Sequence, residues 1–485
     1  MALKNGDVFK YSLYTPLSGI GLALTMSYLT VFQTEGLGWT AALATTVLII
    51  PRIIDFLGGA ICGSVIAKTN MKWGKYRSWF VVGGWIVWVG IIMMFLNTGP
   101  SGLRFPLALQ VIIAAVGYAF QNVPMNFIQT SQFGLISLMA GADMNDRIKL
   151  SVTSMRFMYV GNIITSVSIV PLLAFLTRQF GARPDNPNWY HPNAYTTLGI
   201  ATAFVFLIGT YVMASATKKF DRPQPAGGAG QSLSLGDLIK GVVSNDQLLI
   251  YVLVNTITTV AMFAALPLGI FYYMFVLNNM MLQPVAMTVS TLFGLVAAMI
   301  GPYFGRKLGK KRAMQVGMTV GVIDSVLIAL FAGNTNPVAG GIQAGFIIYV
   351  TLSCITMIGS NFFAGFGGNY LIDAGEYGYY KTGKDNRAVA MGLGALPMKV
   401  ALMVGGALGG YGLHLIGYRP GQPVPAGFTR SFMMLLGGIP AAINLIGLFI
   451  FSLGYKITDA DAEKYAKANM EKTMQAMAAS GAPPA

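Results

Sequence analysis

The run "AALATTVLIIPRIIDFLGGAICGSVI", residues 41–66, decides the fold. An apolar helix of about 20 residues crosses the hydrocarbon core of a bilayer, which is about 30 Å thick. This run is longer than that and holds only two charges, Arg52 and Asp55. It reads as a membrane helix. Lipid does not tolerate stray charge, so both residues need a reason to be there.

The rest of the chain repeats the pattern. Only 10% of the residues are charged and 54% are hydrophobic, against about 25% charged in soluble domains. Twelve apolar runs are long enough to cross, at 11–33, 41–66, 78–97, 105–138, 150–177, 195–215, 247–277, 283–304, 313–333, 341–370, 388–417 and 431–454. No small-residue cleavage site follows the run that starts near Tyr11, so it reads as a retained span. The fold class is an all-α membrane protein. With 59 glycines and 28 methionines, its helices can approach closely and pack adaptably.

Between runs six and seven lies "KKFDRPQPAGGAGQS" (218–232), rich in Pro and Gly, and then the amphipathic "LSLGDLIKGVV" (233–243). This is a linker with an interfacial helix. It divides the chain into a six-helix bundle at 1–215, a linker at 216–245, a second six-helix bundle at 246–454 and a tail at 455–485. The halves echo each other. "GKYR" (74–77) follows the second run and "GKKR" (309–312) the eighth; "NDR" (145–147) precedes the fifth and "DNR" (385–387) the eleventh. Matching loops in matching places predict a parallel duplication, two pseudo-symmetric bundles of six.

Charge sets the orientation. Of the 32 basic residues, 24 fall in segments on the side of the termini, five on the other side and three within the runs. That bias predicts both termini in the cytoplasm. It also accounts for the net charge of +15 through the inner leaflet, so no nucleic acid is implied. Cys62 and Cys354 fall far apart in apolar runs and read as packing residues. His191 and His414 are isolated, and no metal or cofactor site is expected.

Five charges lie within the runs: Arg52, Asp55, Arg156, Asp324 and Lys399. Depth follows from a rise of 1.5 Å per residue. Arg156 is about 14 Å in from Arg147, Lys399 about 18 Å in from Arg387, and Asp55 about 20 Å from Lys68. All three stand near mid-membrane and come from both halves, which predicts a central polar site. The alternative for Arg52 and Asp55, at i and i+3, is a structural clamp between them. Asp324 has no partner in its own helix and is either structural or at a cavity edge. Neutral polar residues share faces with these charges: Asn122, Asn126 and Gln129 around Pro124, Tyr11, Thr15 and Ser18 in the first run, and Asn361 and Asn369 in the tenth. Such groups are either interhelical glue or the lining of a cavity for a polar solute. Trp39, Trp73 and Trp79 are expected as membrane anchors.

"PRIIDFLGGAICGSVIAKTNMKWGKYRSWF" (51–80), "NVPMNF" (122–127) with its later "NDR" and "MRF", and "DAGEYGYYKTGKDNRAVAMGLGALPMKVALMVGGALGGYGLHLIGY" (373–418) resemble the glycoside–pentoside–hexuronide:cation symporters. These form the melibiose-carrier branch of the major facilitator superfamily, and the resemblance covers essentially the whole chain. It implies twelve helices in two bundles, alternating access, and cation-coupled uptake of sugars or glycosides. Residue by residue, it implies that Asp55 is a cation-site carboxylate, that Arg156 and Lys399 lie near the sugar, and that Asp373 and Glu376 belong to a loop that helps close the inner gate. The chain departs from the pattern at four places. The second cation-site carboxylate is Gly59, the two sugar-gripping carboxylates are Gly19 and Asn122, and the sugar-stacking tryptophan is Asn126. A sodium ion wants several oxygen ligands, so a lone carboxylate suits a proton better.

The expected function is secondary active transport of a sugar, glycoside or uronide, with a proton rather than sodium as coupling ion. Asp55 is the expected coupling group; Arg156, Lys399, Asn122, Asn126, Ser18 and Gln129 are expected to meet the solute; Arg52, Asp373 and Glu376 are charge partners or gates. The solute is small, polar and sugar-derived, and two lost acids beside two retained bases favour an anionic one. The carrier is expected as a monomer in a bacterial inner membrane. An uncoupled facilitator or a lipid-handling member of the same superfamily is the nearer alternative. A membrane-embedded enzyme is disfavoured, since no nucleophile–base pair or metal-ligand set appears within the runs.

Overall fold

The computed structural model describes residues 3–69, 71–141, 143–183, 186–221, 243–338, 342–383 and 396–480. The first six helices are α1 (Asn5–Val31, prolonged by a π turn at Phe32–Gly36), α2 (Ala41–Lys68), α3 (Arg77–Met94), α4 (Leu107–Ala140), α5 (Met144–Phe180) and α6 (Pro192–Ala216). The next six are α7 (Asp246–Ala265, then Leu268–Phe271 and a π turn at Tyr272–Val276), α8 (Leu282–Leu308), α9 (Lys310–Phe331), α10 (Ala344–Thr382), α11 (Leu396–Leu415) and α12 (Phe428–Met433, a π turn at Met434–Gly438, then Ile439–Gly454). The tail forms α13 (Asp459–Ser480). Among the described residues, nine helices are long and apolar enough to cross a membrane; α8, α10 and α11 stand at the eighth, tenth and eleventh runs. Most of the expected interfacial helix, and "DNR" (385–387), lie outside the described residues.

Neighbours repeat with an offset of six. In the first set α1 packs on α5 and α6, α4 on α2 and α3, and α3 on α6. In the second, α7 packs on α11 and α12, α10 on α8 and α9, and α9 on α12. The two sets meet through α2 against α11 and α5 against α8, pairs that exchange under the same offset. Apolar side chains gain little by leaving lipid for one another, so small residues that let backbones approach carry this packing. A methyl on Gly90 of α3 would stand 2.7 Å from the Gly117 carbonyl oxygen of α4. The equivalent crossing of α9 and α10 brings Gly317 and Gly359 together, where a methyl on Gly317 would stand 3.0 Å from the Gly359 carbonyl oxygen.

The echo reaches the caps. Asp221, after α6, accepts backbone N–H bonds from Lys75, Tyr76 and Arg77 at 3.1, 2.8 and 2.6 Å, at the start of α3. Asp459, after α12, accepts from Lys310 N–H at 3.1 Å, at the start of α9. Each aspartate lies against a glycine of positive φ, Gly74 (+120°) and Gly309 (+78°). These are the glycines of "GKYR" and "GKKR", so the repeated motif is a capped helix start.

The two sets also share apolar packing at the end away from the termini. A single apolar core there joins Phe32, Phe95 and Tyr195 of the first set to Tyr272, Tyr418 and Phe428 of the second. Trp39 belongs to it: it is 3% exposed, and its indole N–H donates to Gln110 Oε1 at 2.9 Å. It is therefore no membrane anchor, because its polar edge is satisfied inside the protein. Trp79 stacks on Phe127, and of the three expected anchors only Trp73 is exposed.

Candidate functional site

The α2–α11 contact supplies the site. Thr45, Arg52 and Gly59 recur at seven-residue intervals and so share one seam of α2. Gly410, Gly406 and Lys399 of the antiparallel α11 face them in turn. Each long cation lies in a notch left by a glycine of the other helix. A methyl on Gly406 would stand 2.5 Å from Arg52 Nη1, and one on Gly59 would stand 2.6 Å from Lys399 Cε. The glycine at 59 is thus the space through which Lys399 passes.

Lys399 ends on Asp55. Its Nζ lies 3.1 Å from Oδ2 and 3.2 Å from Oδ1 of the carboxylate, and it also donates to Oδ1 of Asn126. Asn126 in turn donates from Nδ2 to Asp55 Oδ1 at 2.7 Å and to the Asp55 carbonyl at 3.1 Å. Asn126 is buried, and the Asp55 and Lys399 side chains are 13% and 20% exposed. An ammonium has three hydrogens, and here three oxygens face it. The triad ties α2 and α4 of the first set to α11 of the second.

Arg52 does not clamp Asp55. Its Nε donates to the Tyr118 hydroxyl at 3.3 Å and its guanidinium sits 5.7 Å from the centre of that ring, while Nη1 is buried with no hydrogen-bond partner among the described residues. Both residues lie between α4 and α11 but take different partners there: Arg52 lies against Gly406 and bonds Tyr118, whereas Asp55 is held by Lys399 and Asn126.

The other expected residues separate into two groups. Arg156 and Gln129 are exposed and make no hydrogen bond or ion pair among the described residues. Asn122 is half-buried and donates to the Tyr118 carbonyl at 3.0 Å, leaving its amide oxygen free among the described residues. Ser18 is buried and turns its hydroxyl onto the Thr15 carbonyl of its own helix at 3.1 Å. Asp373 and Glu376 lie in the helix α10 and not in a loop, because α10 runs on to Thr382 and stops at the left-handed Gly383 (φ +70°). Asp373 accepts from Lys310, and Glu376 accepts from Asn469 of α13 at 2.6 Å, so both brace α10 against its own set and the tail. Asp324 is 2% exposed; Thr356 donates to Oδ2, and Oδ1 has no partner among the described residues. No metal-ligand cluster occurs among the described residues.

One cluster, at the end away from the termini, was not legible in the sequence. The Tyr418 hydroxyl, from the second set, donates to the Glu35 carboxylate, and Trp189 Nε1 donates to the Glu35 carbonyl at 3.1 Å. Arg183 lies 4.1 Å over the Trp189 ring. Asn188 donates to Asn278 at 2.6 Å and accepts from Met280 N–H at 3.0 Å. Tyr28 donates to Gln283 at 2.9 Å. The bonds of Tyr418 to Glu35, Asn188 to Asn278 and Met280, and Tyr28 to Gln283 cross between the sets. The ion pairs of the opposite end, such as Lys219 with Asp7 and Lys310 with Asp373, stay within one set.

The chain matches the family described as "MFS/sugar transport protein" over residues 16–459. It is 23% identical to a lactose permease of Lactobacillus delbrueckii subsp. bulgaricus, over 87% of this chain and 64% of that one. It is 23% identical to the glucuronide carrier protein homolog of Escherichia coli, over 93% of this chain and 92% of the relative. Its fold is similar to that of the solved nucleoside transporter NupG, with a TM-score of 0.62, 14% identity, and coverage of 94% of this chain and 100% of the other.

Proposed function

The chain belongs to the MFS/sugar transport protein family, and we propose that it imports a sugar, glycoside or uronide by proton symport with alternating access. One observation carries the reading: the mid-depth ion pair of Asp55 and Lys399 joins the two helix sets at 3.1 Å. A carrier that exposes its site first to one side and then to the other must remake contacts between its halves. Protonating Asp55 would cancel its hold on Lys399 and so change the relative stability of the two orientations. That gives coupling with one carboxylate.

The solute site lies beside the pair. Lys399 is committed to Asp55 and Asn126 in this conformation, so it is Arg156 that is left for an anionic group. An exposed guanidinium at that depth, unpaired among the described residues, belongs in the space between the sets, where water and solute reach it, since lipid would expel it. Asn122 and Gln129 offer neutral hydrogen bonds on α4. The seal of Glu35, Tyr418, Asn188 and Asn278 then closes the outer side, and the site opens toward the cytoplasm.

Asp55→Asn tests the coupling, because it fixes the group neutral at nearly the same shape. In proteoliposomes the variant should lose accumulation driven by a pH gradient and retain substrate exchange at equilibrium. A folded variant that still accumulates substrate in response to the gradient would remove Asp55 from the mechanism. Wild-type uptake that ignores every ion gradient would mark a facilitator.

A further inference from the structure

We infer that the groove between α9 and α12 seats one anionic phospholipid of the leaflet on the side away from the termini, with its phosphate on Arg430 and an acyl chain in the trough beneath. The site lies on the lipid face of the second set and does not depend on what the protein carries.

The two helices touch closely at two levels. A methyl on Gly437 of α12 would stand 2.5 Å from the Ser325 carbonyl oxygen of α9, and one on Gly333, just past α9, would stand 3.0 Å from Met433 Cγ. Alongside this contact runs a trough. Val322, Val326 and Leu330 line it from α9, and Met434, Gly438 and Leu445 from α12. Val326, Leu330, Met434 and Leu445 are exposed, and exposed apolar side chains in a span meet lipid. The trough has the length of one chain. Met434 and Leu445 are eleven positions apart, about 16 Å at 1.5 Å per residue. One leaflet fills half of a hydrocarbon core about 30 Å thick.

At the end away from the termini the trough runs without a break into a polar mouth. Ala329 and Leu330 belong to both, and Asn334, Thr429 and Arg430 line the mouth. Arg430 is exposed and makes no ion pair or hydrogen bond among the described residues. No carboxylate stands among the described residues that line the mouth. Its charge is also on the side where basic residues are few, so the orientation of the chain does not account for it. A guanidinium takes a phosphate through two parallel N–H bonds. The acyl chain gains little by leaving the bilayer for the trough, because lipid tails are as apolar as the side chains there. The charge of the headgroup therefore decides which lipid stays.

The test is photocrosslinking of the full chain in phosphatidylcholine nanodiscs. A trace lipid carries a diazirine in its acyl chain and is headed by either phosphatidylglycerol or phosphatidylcholine. Mass spectrometry of crosslinked peptides should show the anionic probe enriched severalfold over the zwitterionic one at residues 322–330 and 434–445. Arg430→Gln should abolish that enrichment. Arg419→Gln, which changes an exposed arginine outside the groove, should leave it. Equal labelling by the two probes in wild type would overturn the inference. So would enrichment that survives Arg430→Gln, or an equal loss in both variants, which would mark bulk attraction to charge. Displacement of the anionic probe by millimolar glycerol 3-phosphate, which has no chain, would make this a site for a free phosphate ester and would overturn the lipid assignment.

Discussion

Lys399 of α11 and Asp55 of α2 stand 3.1 Å apart and form the ion pair that crosses between the two helix sets among the described residues. Removing one partner of a buried pair leaves the other charge uncompensated, at a cost of about 3–5 kcal/mol. Removing both leaves none. Lys399→Gln alone should therefore lower the melting temperature more than Lys399→Gln combined with Asp55→Asn. Simple additivity of the two substitutions in thermal unfolding would show that the pair does not act as a unit.

Arg156 is the exposed cation of the proposed solute site. Arg156→Gln should weaken an anionic uronide by about tenfold or more, as loss of a charge-assisted bond would, about 1.5–3 kcal/mol. A neutral glycoside should be affected much less. Equal losses for both solutes in competition binding would show that the residue does not read charge.

Tyr418→Phe removes the donor that the Glu35 carboxylate meets across the seal. A bond to a charged group contributes about 1.5–3 kcal/mol, enough to shift a two-state equilibrium about tenfold. A cysteine placed at Asn122 should then react faster with a membrane-impermeant thiol reagent added on the side away from the termini. An unchanged rate would mean that the bond does not hold that end closed.

The caps predict an asymmetry between the halves. Asp221 serves three backbone N–H groups and is 3% exposed, whereas the Asp459 side chain is 50% exposed and serves one backbone N–H. Loss of a helix cap costs about 0.5–2 kcal/mol. Asp221→Ala should lie at the upper end of that range and Asp459→Ala at the lower end in thermal unfolding. The reverse order would contradict the geometry.

Sidedness is tested at Lys72, which is exposed in the α2–α3 connection. Cysteine there should resist an impermeant reagent in intact cells and react after lysis. The native Cys62 and Cys354 are both buried, which keeps the background low. Labelling from outside would reverse the proposed orientation.

The sequence by itself determined the helices and their order. A span must satisfy its backbone internally and show apolar side chains to lipid, so each of the twelve runs is visible as composition alone. The echo of "GKYR" in "GKKR" was legible because a helix start at a sharp turn needs a glycine at a fixed place. The mid-depth charges were legible too, because charge in an apolar run is costly wherever it points. Their partners were not. Arg52 and Asp55 are three residues apart, yet each takes its own partners and neither bonds the other, and the residue that neutralises Asp55 lies 344 positions away. Gly59 read as a missing carboxylate; only the approach of α11 shows it to be room for Lys399. The resemblance implies a loop at Asp373 and Glu376, but α10 continues past the tenth run on contacts with Lys310 and α13. Glu35, Tyr418, Asn188 and Asn278 left no trace in periodicity, since a hydrogen bond between halves depends on how two bundles are rotated against each other. Hydropathy is a property of each residue and its neighbours in sequence; which oxygen meets which ammonium depends on the rotation and spacing of helices far apart in the chain, and only the packed tertiary structure decides it.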